Sequence, residues 1–232
     1  MKKNEQIKNI RKEIFNCDMC PLRQENERLR NLIPDEINAE YGNPVPGIGS
    51  DQAVMMIFGE APGADEVVKN KPFVGKAGSL LRECLEEIEA DPEMLYIANV
   101  INCRPPRNKF PQGDDVHKCV DVCIKWARKQ IAIVRPKIVV GLGGQPLKYI
   151  FKSDERISNV YGKIFDWNIK ALNLDTKYCA TFHPSFCLRP GRTFDTTDLS
   201  NGQKMMAMSV SEKRDLLTKH LYDSYKLAME TK

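Results

Sequence analysis

The chain has 232 residues, 42% of them hydrophobic and 28% charged, with a net charge of +4. That length and polarity suffice for one ordinary core and exclude a fibrous or disordered chain, the 14 glycines and 14 prolines being scattered. No apolar run approaches the roughly 18 residues of a membrane span, and the charged start MKKNEQIKNIRKEIF is unlike a signal peptide, so a soluble, cytoplasmic (intracellular) protein is expected.

In chain order, residues 4–15 read as a short amphipathic helix and residues 24–47, with charges, Asn and three prolines, as a long loop. AVMMIF at 53–58 is a buried strand ending in Gly59. Residues 76–90 form a helix, with Leu80, Leu81, Cys84, Leu85 and Ile88 at helical spacing, and Asp91-Pro92 stops it. A second strand covers 95–101, a second long helix 114–131 and a third strand 137–142, followed by a short helix at 144–151. An edge strand is expected within 160–169, another strand at 177–182 and a closing helix at 211–229. His117 and His220 fall in helices and read as surface residues.

Short apolar strands alternating with helices make an α/β fold with a mostly parallel sheet. Such sheets bind ligands beyond the carboxyl ends of their strands. The residues following the strands are Gly59-Glu60-Ala61-Pro62-Gly63, Asn99, the glycine turn 141–144 and His183-Pro184-Ser185. An acid, an amide, a glycine turn and an imidazole therefore converge on one rim.

Eight cysteines in a reducing compartment are read as metal ligands or core packing rather than disulfides. Cys17 and Cys20 form a C-x-x-C, and Cys103 and Cys119 lie sixteen positions apart. Four thiolates suit zinc or an iron–sulfur cluster, and spacing alone favours structural zinc. Cys123, one turn beyond Cys119, is a rival ligand or a spare, while Cys84 and Cys179 fit core packing.

Taken together, the strand-end motifs and cysteines resemble the family 4, iron–sulfur uracil-DNA glycosylases. The similarity runs collinearly from Cys17-Asp18-Met19-Cys20-Pro21-Leu22 through Gly59-Glu60-Ala61-Pro62-Gly63 with Glu66 behind it, and on to Lys71-Pro72-Phe73-Val74-Gly75-Lys76-Ala77-Gly78. It continues in Tyr96-Ile97-Ala98-Asn99-Val100, Cys103-Arg104-Pro105-Pro106 with Cys119, Thr181-Phe182-His183-Pro184-Ser185 and Leu188-Arg189-Pro190. The resemblance implies one domain over residues 1–232, a three-layer α/β/α fold around a central, mostly parallel four-stranded sheet. It also implies a 4Fe-4S cluster on Cys17, Cys20, Cys103 and Cys119, and hydrolysis of the bond between uracil and deoxyribose by a monomer acting on uracil-containing DNA.

Such an enzyme takes the base out of the stack. On the resemblance, Phe73 stacks on the flipped base, Asn99 reads its edge, and His183 donates toward uracil O2 as negative charge develops there. A phenylalanine at 73 serves equally as core packing, and an asparagine at 99 as a turn cap. Glu60 positions water or stabilises the cationic sugar. The water-activating aspartate of the wider superfamily falls at Ala61, which is no base. The amides of Ala61 and Gly63 are expected against the uracil or its phosphate. Arg104, Arg107, Lys109, Arg189 and Arg192 are the candidate phosphate contacts, with Leu188 and Arg189 filling the gap left by the flipped base.

Two segments depart from the family pattern, 24–47 and 192–210, and both are expected to be loop insertions. The second, rich in Ser, Thr and Asn, is expected to lack order when free and to become ordered on DNA. The competing function is a non-catalytic iron–sulfur DNA-binding module attached to a DNA polymerase.

Overall fold

The computed structural model describes residues 1–32, 41–193 and 199–231. Residues 33–40 of the first expected loop and 194–198 of the second lie outside them.

The core is laid down by strands whose every residue is buried. β2 (Met55–Gly59) and β4 (Ile138–Leu142) are solvent-free throughout. Continuous apolar runs of this kind are what a sheet covered on both faces requires. Met56 and Phe58 face one apolar cluster; Met55 and Ile57 face the other. With β3 (Leu95–Asn99) and β6 (Leu174–Thr181) they form the parallel heart of a six-stranded sheet, ordered β1-β3-β2-β4-β6-β5. The two outer strands, β1 (Ile48–Gly49) and β5 (Ile164–Ile169), run antiparallel to their neighbours. The expected four-stranded sheet is thus the central part of a wider one.

One face carries α1 (Lys3–Phe15), α2 (Pro21–Leu32), α5 (Asp114–Val134) and α6 (Gly144–Tyr149). In α1, Ile7, Ile10 and Ile14 make an i, i+3, i+7 stripe that packs on α5. Lys3 caps the far end of α5, its Nζ donating to the Val134 carbonyl at 3.3 Å. The other face carries α4 (Lys76–Glu87) and α10 (Val210–Glu230), with the short α3 (Ala64–Lys69) and α8 (Pro184–Cys187) at the rim. α7 (Ile157–Val160) and α9 (Asn201–Ala207) complete the chain.

Three expectations need correction. Residues 24–32 are helical, as part of α2. Its anchor is polar: Asn26, 1% exposed, donates from Nδ2 to the Arg104 carbonyl at 2.9 Å. The segment 200–208 is likewise built, not loose. Ser200 and Gln203 form a capping box at the start of α9, and Met205 is buried. His220 is a core residue, its Nδ1 2.7 Å from Thr181 Oγ1, and burial lowers its pKa to about 4. No helix among the described residues is long and apolar enough to cross a membrane.

Register fixes the site. Gly59 pairs with Asn99, Phe58 with Gly141, Gly141 with Ala180, and Leu142 with Thr181. The carboxyl ends of all four parallel strands therefore finish level. The chain crosses from β2 to β3 on one side and returns to β4 on the other, so the crevice opens at the switch in direction.

Candidate active site

A cavity of about 560 Å3 lies beyond those strand ends, lined by Glu60, Ala61, Gly63, Phe73, Asn99 and His183, with Asn108, Ser185, Phe186, Arg189 and Met205. The residues expected at the base pocket are thus brought together.

Asn99 ends β3 at 3% exposure, and its Oδ1 has no hydrogen-bond partner among the described residues. A buried acceptor left unmade is costly, on the order of 1–3 kcal/mol, unless a ligand supplies the donor. The space above it is kept by Gly59, where a Cβ would lie 2.3 Å from the Phe73 ring and 2.5 Å from Asn99 Oδ1.

Phe73 is held in an uncommon conformation, φ +55°, that costs about 1–3 kcal/mol in a non-glycine residue. Its surroundings fix it there. The Phe73 carbonyl accepts from Arg82, and Gly78 gives it room, since a Cβ there would stand 1.8 Å from that oxygen. Glu66 braces the same loop. Its Oε1 accepts from the amides of Val74 (2.8 Å) and Gly75 (2.7 Å), and its Oε2 from Gly63 (3.0 Å). One carboxylate therefore ties the Gly59–Gly63 turn to the Phe73 loop. The Phe73 and His183 rings stand 6.0 Å apart, inclined by 34°.

His183 is the N-cap of α8. Its Nδ1 accepts from the Ser185 amide at 3.2 Å and lies 2.8 Å from Ser185 Oγ. A ring nitrogen that accepts an amide proton carries none of its own, so the neutral imidazole bears its proton on Nε2. Burial, and the nearby Arg189 charge, lower its pKa to about 4. Glu60 is shifted the other way: burial raises its pKa, with the Arg189 charge opposing.

The expected DNA-contacting residues divide. Arg107, Lys109, Leu188 and Arg189 are exposed at the rim, Leu188 at 45%. Arg104 is turned inward at 7% exposure, its Nε donating to Asn108 Oδ1 at 2.9 Å and its guanidinium 5.3 Å from the Tyr41 ring. It braces the loop in which Arg107 and Asn108 both adopt positive φ. Asn108, Glu66, Ser185 and Met205 belong to the site or its support and were not given these roles by the sequence. Only Glu66, in the motif with Gly63, and Ser185, beside His183, carried a local signal.

Cys17, Cys20, Cys103, Cys119 and Cys123 share one apolar cluster, while Cys84, Cys179 and Cys187 belong to the other. All eight are free thiols. Cys17 and Cys20 lie between α1 and α2, Cys103 follows β3, and Cys119 and Cys123 lie on α5. Cys20 is lowered to about 6 by a hydrogen bond from Cys119, against the effect of burial, and by the Arg23 and Leu22 amides at the helix start. Cys119, as that donor, is raised. Burial raises Cys103 strongly and Cys123 to about 12, and both also feel the charges of Cys17 and Cys20. Among the described residues no three His, Cys, Asp or Glu side chains are drawn together as a metal-holding group. The donor chemistry nonetheless fits a thiolate-bound metal or cluster: Cys17 packs against the apolar cluster that holds Cys20, Cys103 and Cys119, and Cys20 is shifted toward the thiolate.

The family described as Uracil DNA glycosylase superfamily matches residues 46–201, and the chain belongs to that superfamily. The similarity extends to its type-4 members. The type-4 uracil-DNA glycosylase of Archaeoglobus fulgidus is 35% identical over 79% of this chain and 84% of its own length. That of Saccharolobus solfataricus is 38% identical over 63% of this chain and 67% of its own. A DNA polymerase of Bacillus phage SP01 is 31% identical over 63% of this chain, in a stretch that makes up 15% of the polymerase.

Proposed function

We propose that this protein is a DNA-repair glycosylase that hydrolyses the N-glycosidic bond of deoxyuridine in DNA, releasing uracil and leaving an abasic site. The observation that carries the reading is the unpartnered Asn99 acceptor in a cavity that also holds the Phe73 ring and an imidazole protonated on Nε2. A non-catalytic module attached to a polymerase has no use for a buried acceptor kept open.

The deoxyuridine is flipped from the duplex into the cavity, and Phe73 stacks on the base. Asn99 Oδ1 accepts from uracil N3–H and its amide nitrogen donates to O4. Cytosine presents an acceptor at N3 and a donor at the 4-position, so the same amide rejects it. As the C1′–N1 bond breaks, the electron pair stays with the base, and charge builds on O2. The His183 Nε2–H donates to that oxygen, and being neutral it loses no proton in doing so. Glu60, as the carboxylate, faces the cationic sugar and orients the water that adds to C1′; the proton that this water gives up balances the charge of the departing uracil anion. Arg107, Lys109 and Arg189 hold phosphates, and Leu188 fills the space vacated by the base. Arg104 supports them from beneath.

Cys17, Cys20, Cys103 and Cys119 would hold a 4Fe-4S cluster, whose contribution is a cross-link between α2, the loop after β3 and α5. That cross-link supports the Arg104–Asn108 loop at the rim of the cavity.

The test is incubation with an oligonucleotide carrying one deoxyuridine. Free uracil and an alkali-labile site are expected, with no strand break before alkali and no borohydride-trapped adduct. An intact oligonucleotide after long incubation refutes the reading.

A further inference from the structure

Lys213 is a lysine with no surface exposure. It lies in the first turn of α10, 24 residues beyond Arg189. Its Nζ donates to the Arg189 carbonyl at 2.6 Å and stands 4.7 Å from the centre of the Phe186 ring. Its own carbonyl accepts from Cys187 Sγ at 3.6 Å. Among the described residues no carboxylate lies within ion-pair distance of it. A buried ammonium without a counter-charge is an expensive way to fill space, and an aliphatic chain of equal length would fill it without the desolvation cost.

Both partners of the ammonium belong to one short stretch, α8 and the turn after it. The Leu188 amide bonds to the Pro184 carbonyl and the Arg189 amide to the Phe186 carbonyl, so fixing Arg189 and Phe186 fixes Leu188 between them. The far side of the turn is held as well, because the Arg192 amide donates to the Met206 carbonyl of α9 at 2.9 Å. The result is a rigid turn presenting Leu188 to solvent at 45% exposure.

We propose that Lys213 is a positioning residue for the Leu188 wedge: it stiffens the turn so that Leu188 withstands the base stack it replaces. The inference rests on the reading of Leu188 as the residue that fills the gap. A wedge matters where a stacked, paired base must be displaced and matters little where the uracil is already unstacked.

The experiment measures single-turnover uracil release by Lys213→Met, Lys213→Gln, Lys213→Arg and Leu188→Ala on duplex and single-stranded oligonucleotides, with thermal unfolding of each. Lys213→Met is expected to lose about tenfold on the duplex and less than about twofold on the single strand, with no fall in Tm. Lys213→Gln, too short to reach the Arg189 carbonyl, is expected to behave likewise and serves if the methionine variant folds poorly. Lys213→Arg restores the duplex rate. Equal losses on both substrates, or none, in both Met and Gln variants overturn the inference. If Leu188→Ala shows the duplex-selective loss and they do not, Lys213 alone was misassigned; if Leu188→Ala also lacks it, the wedge reading falls and takes the inference with it.

Discussion

The Ser185 amide donates to Nδ1 of His183 across 3.2 Å, and the Ser185 hydroxyl lies 2.8 Å from the same nitrogen. Two contacts from one residue thus set the tautomer that the chemistry needs. His183→Ala removes the donor to uracil O2 and is expected to cost about 2.7–4 kcal/mol of transition-state stabilisation, a fall in kcat of two to three orders of magnitude. Ser185→Ala keeps the amide contact and loses the hydroxyl, so a fall of only about tenfold is expected. Single-turnover rates at saturating DNA check both, and wild-type rates in His183→Ala would remove it from the site.

His183 and Glu60, both lining the cavity, are displaced in opposite directions, and this decides what the pH profile reports. His183 has its pKa lowered to about 4, so at pH 5–8 it stays neutral and its titration leaves no limb near 6.5. Between its unfolded pKa and about 4 the unfolded chain binds the extra proton, so its contribution to stability is present above pH 6.5 and is lost as pH falls toward 4. Glu60 is raised above its ordinary value by burial. It works as the carboxylate, so activity is expected to fall with decreasing pH through that raised pKa. Glu60→Gln should lose this acidic limb and be less damaging at neutral pH than His183→Ala. A wild-type limb that survives in Glu60→Gln would assign it elsewhere.

The parts of the fold legible in the sequence are those where burial writes a simple pattern. β2, β3 and β4 are apolar runs because both faces are covered, and the acting residues stand at strand ends: Glu60 after β2, Asn99 closing β3 and His183 two residues past β6. What was not legible is held by polar contacts. α2 buries only Leu22 and Asn26, so it has no apolar stripe to read. The inward face of α10 includes Lys213, Thr218, His220 and Ser224, all buried, and a helix that buries polar groups hides which side faces the core. Asn108 reaches the cavity only because the loop turns back through two residues at positive φ, which no spacing rule foretells.

The cysteine assignment separates two residues one turn apart on α5. Both are buried in one core cluster, but Cys119 shares a hydrogen bond with Cys20 and borders a cleft with Pro21 and Pro105, whereas Cys123 bonds to Asn102 instead. Loss of Cys17, Cys20, Cys103 or Cys119 to alanine is expected to abolish bound iron and sulfide and to lower Tm. Cys123→Ala should keep its iron. Metal analysis of the purified variants checks this, and an iron-free Cys123→Ala alongside an iron-replete Cys119→Ala would exchange the two ligands.

The segment after the histidine motif contributes to the pocket itself. Met205 of α9 is 8% exposed and lines the cavity together with Ile157 and Phe186. The same helix is tied to the turn after Leu188, and Gly191 passes so close that a Cβ there would lie 2.5 Å from the Ala207 carbonyl. A flexible thioether at this place fills an irregular wall between the helix and the base site. Met205→Ala is expected to cost about 2–5 kcal/mol of stability by leaving a void. Because that void opens into the cavity, kcat on duplex DNA should fall as well, at saturating substrate and below the midpoint of unfolding. Met205→Leu preserves the volume and should restore both. A Met205→Ala variant that binds DNA more weakly yet turns over at the wild-type rate when saturated would show that α9 serves only to grip DNA.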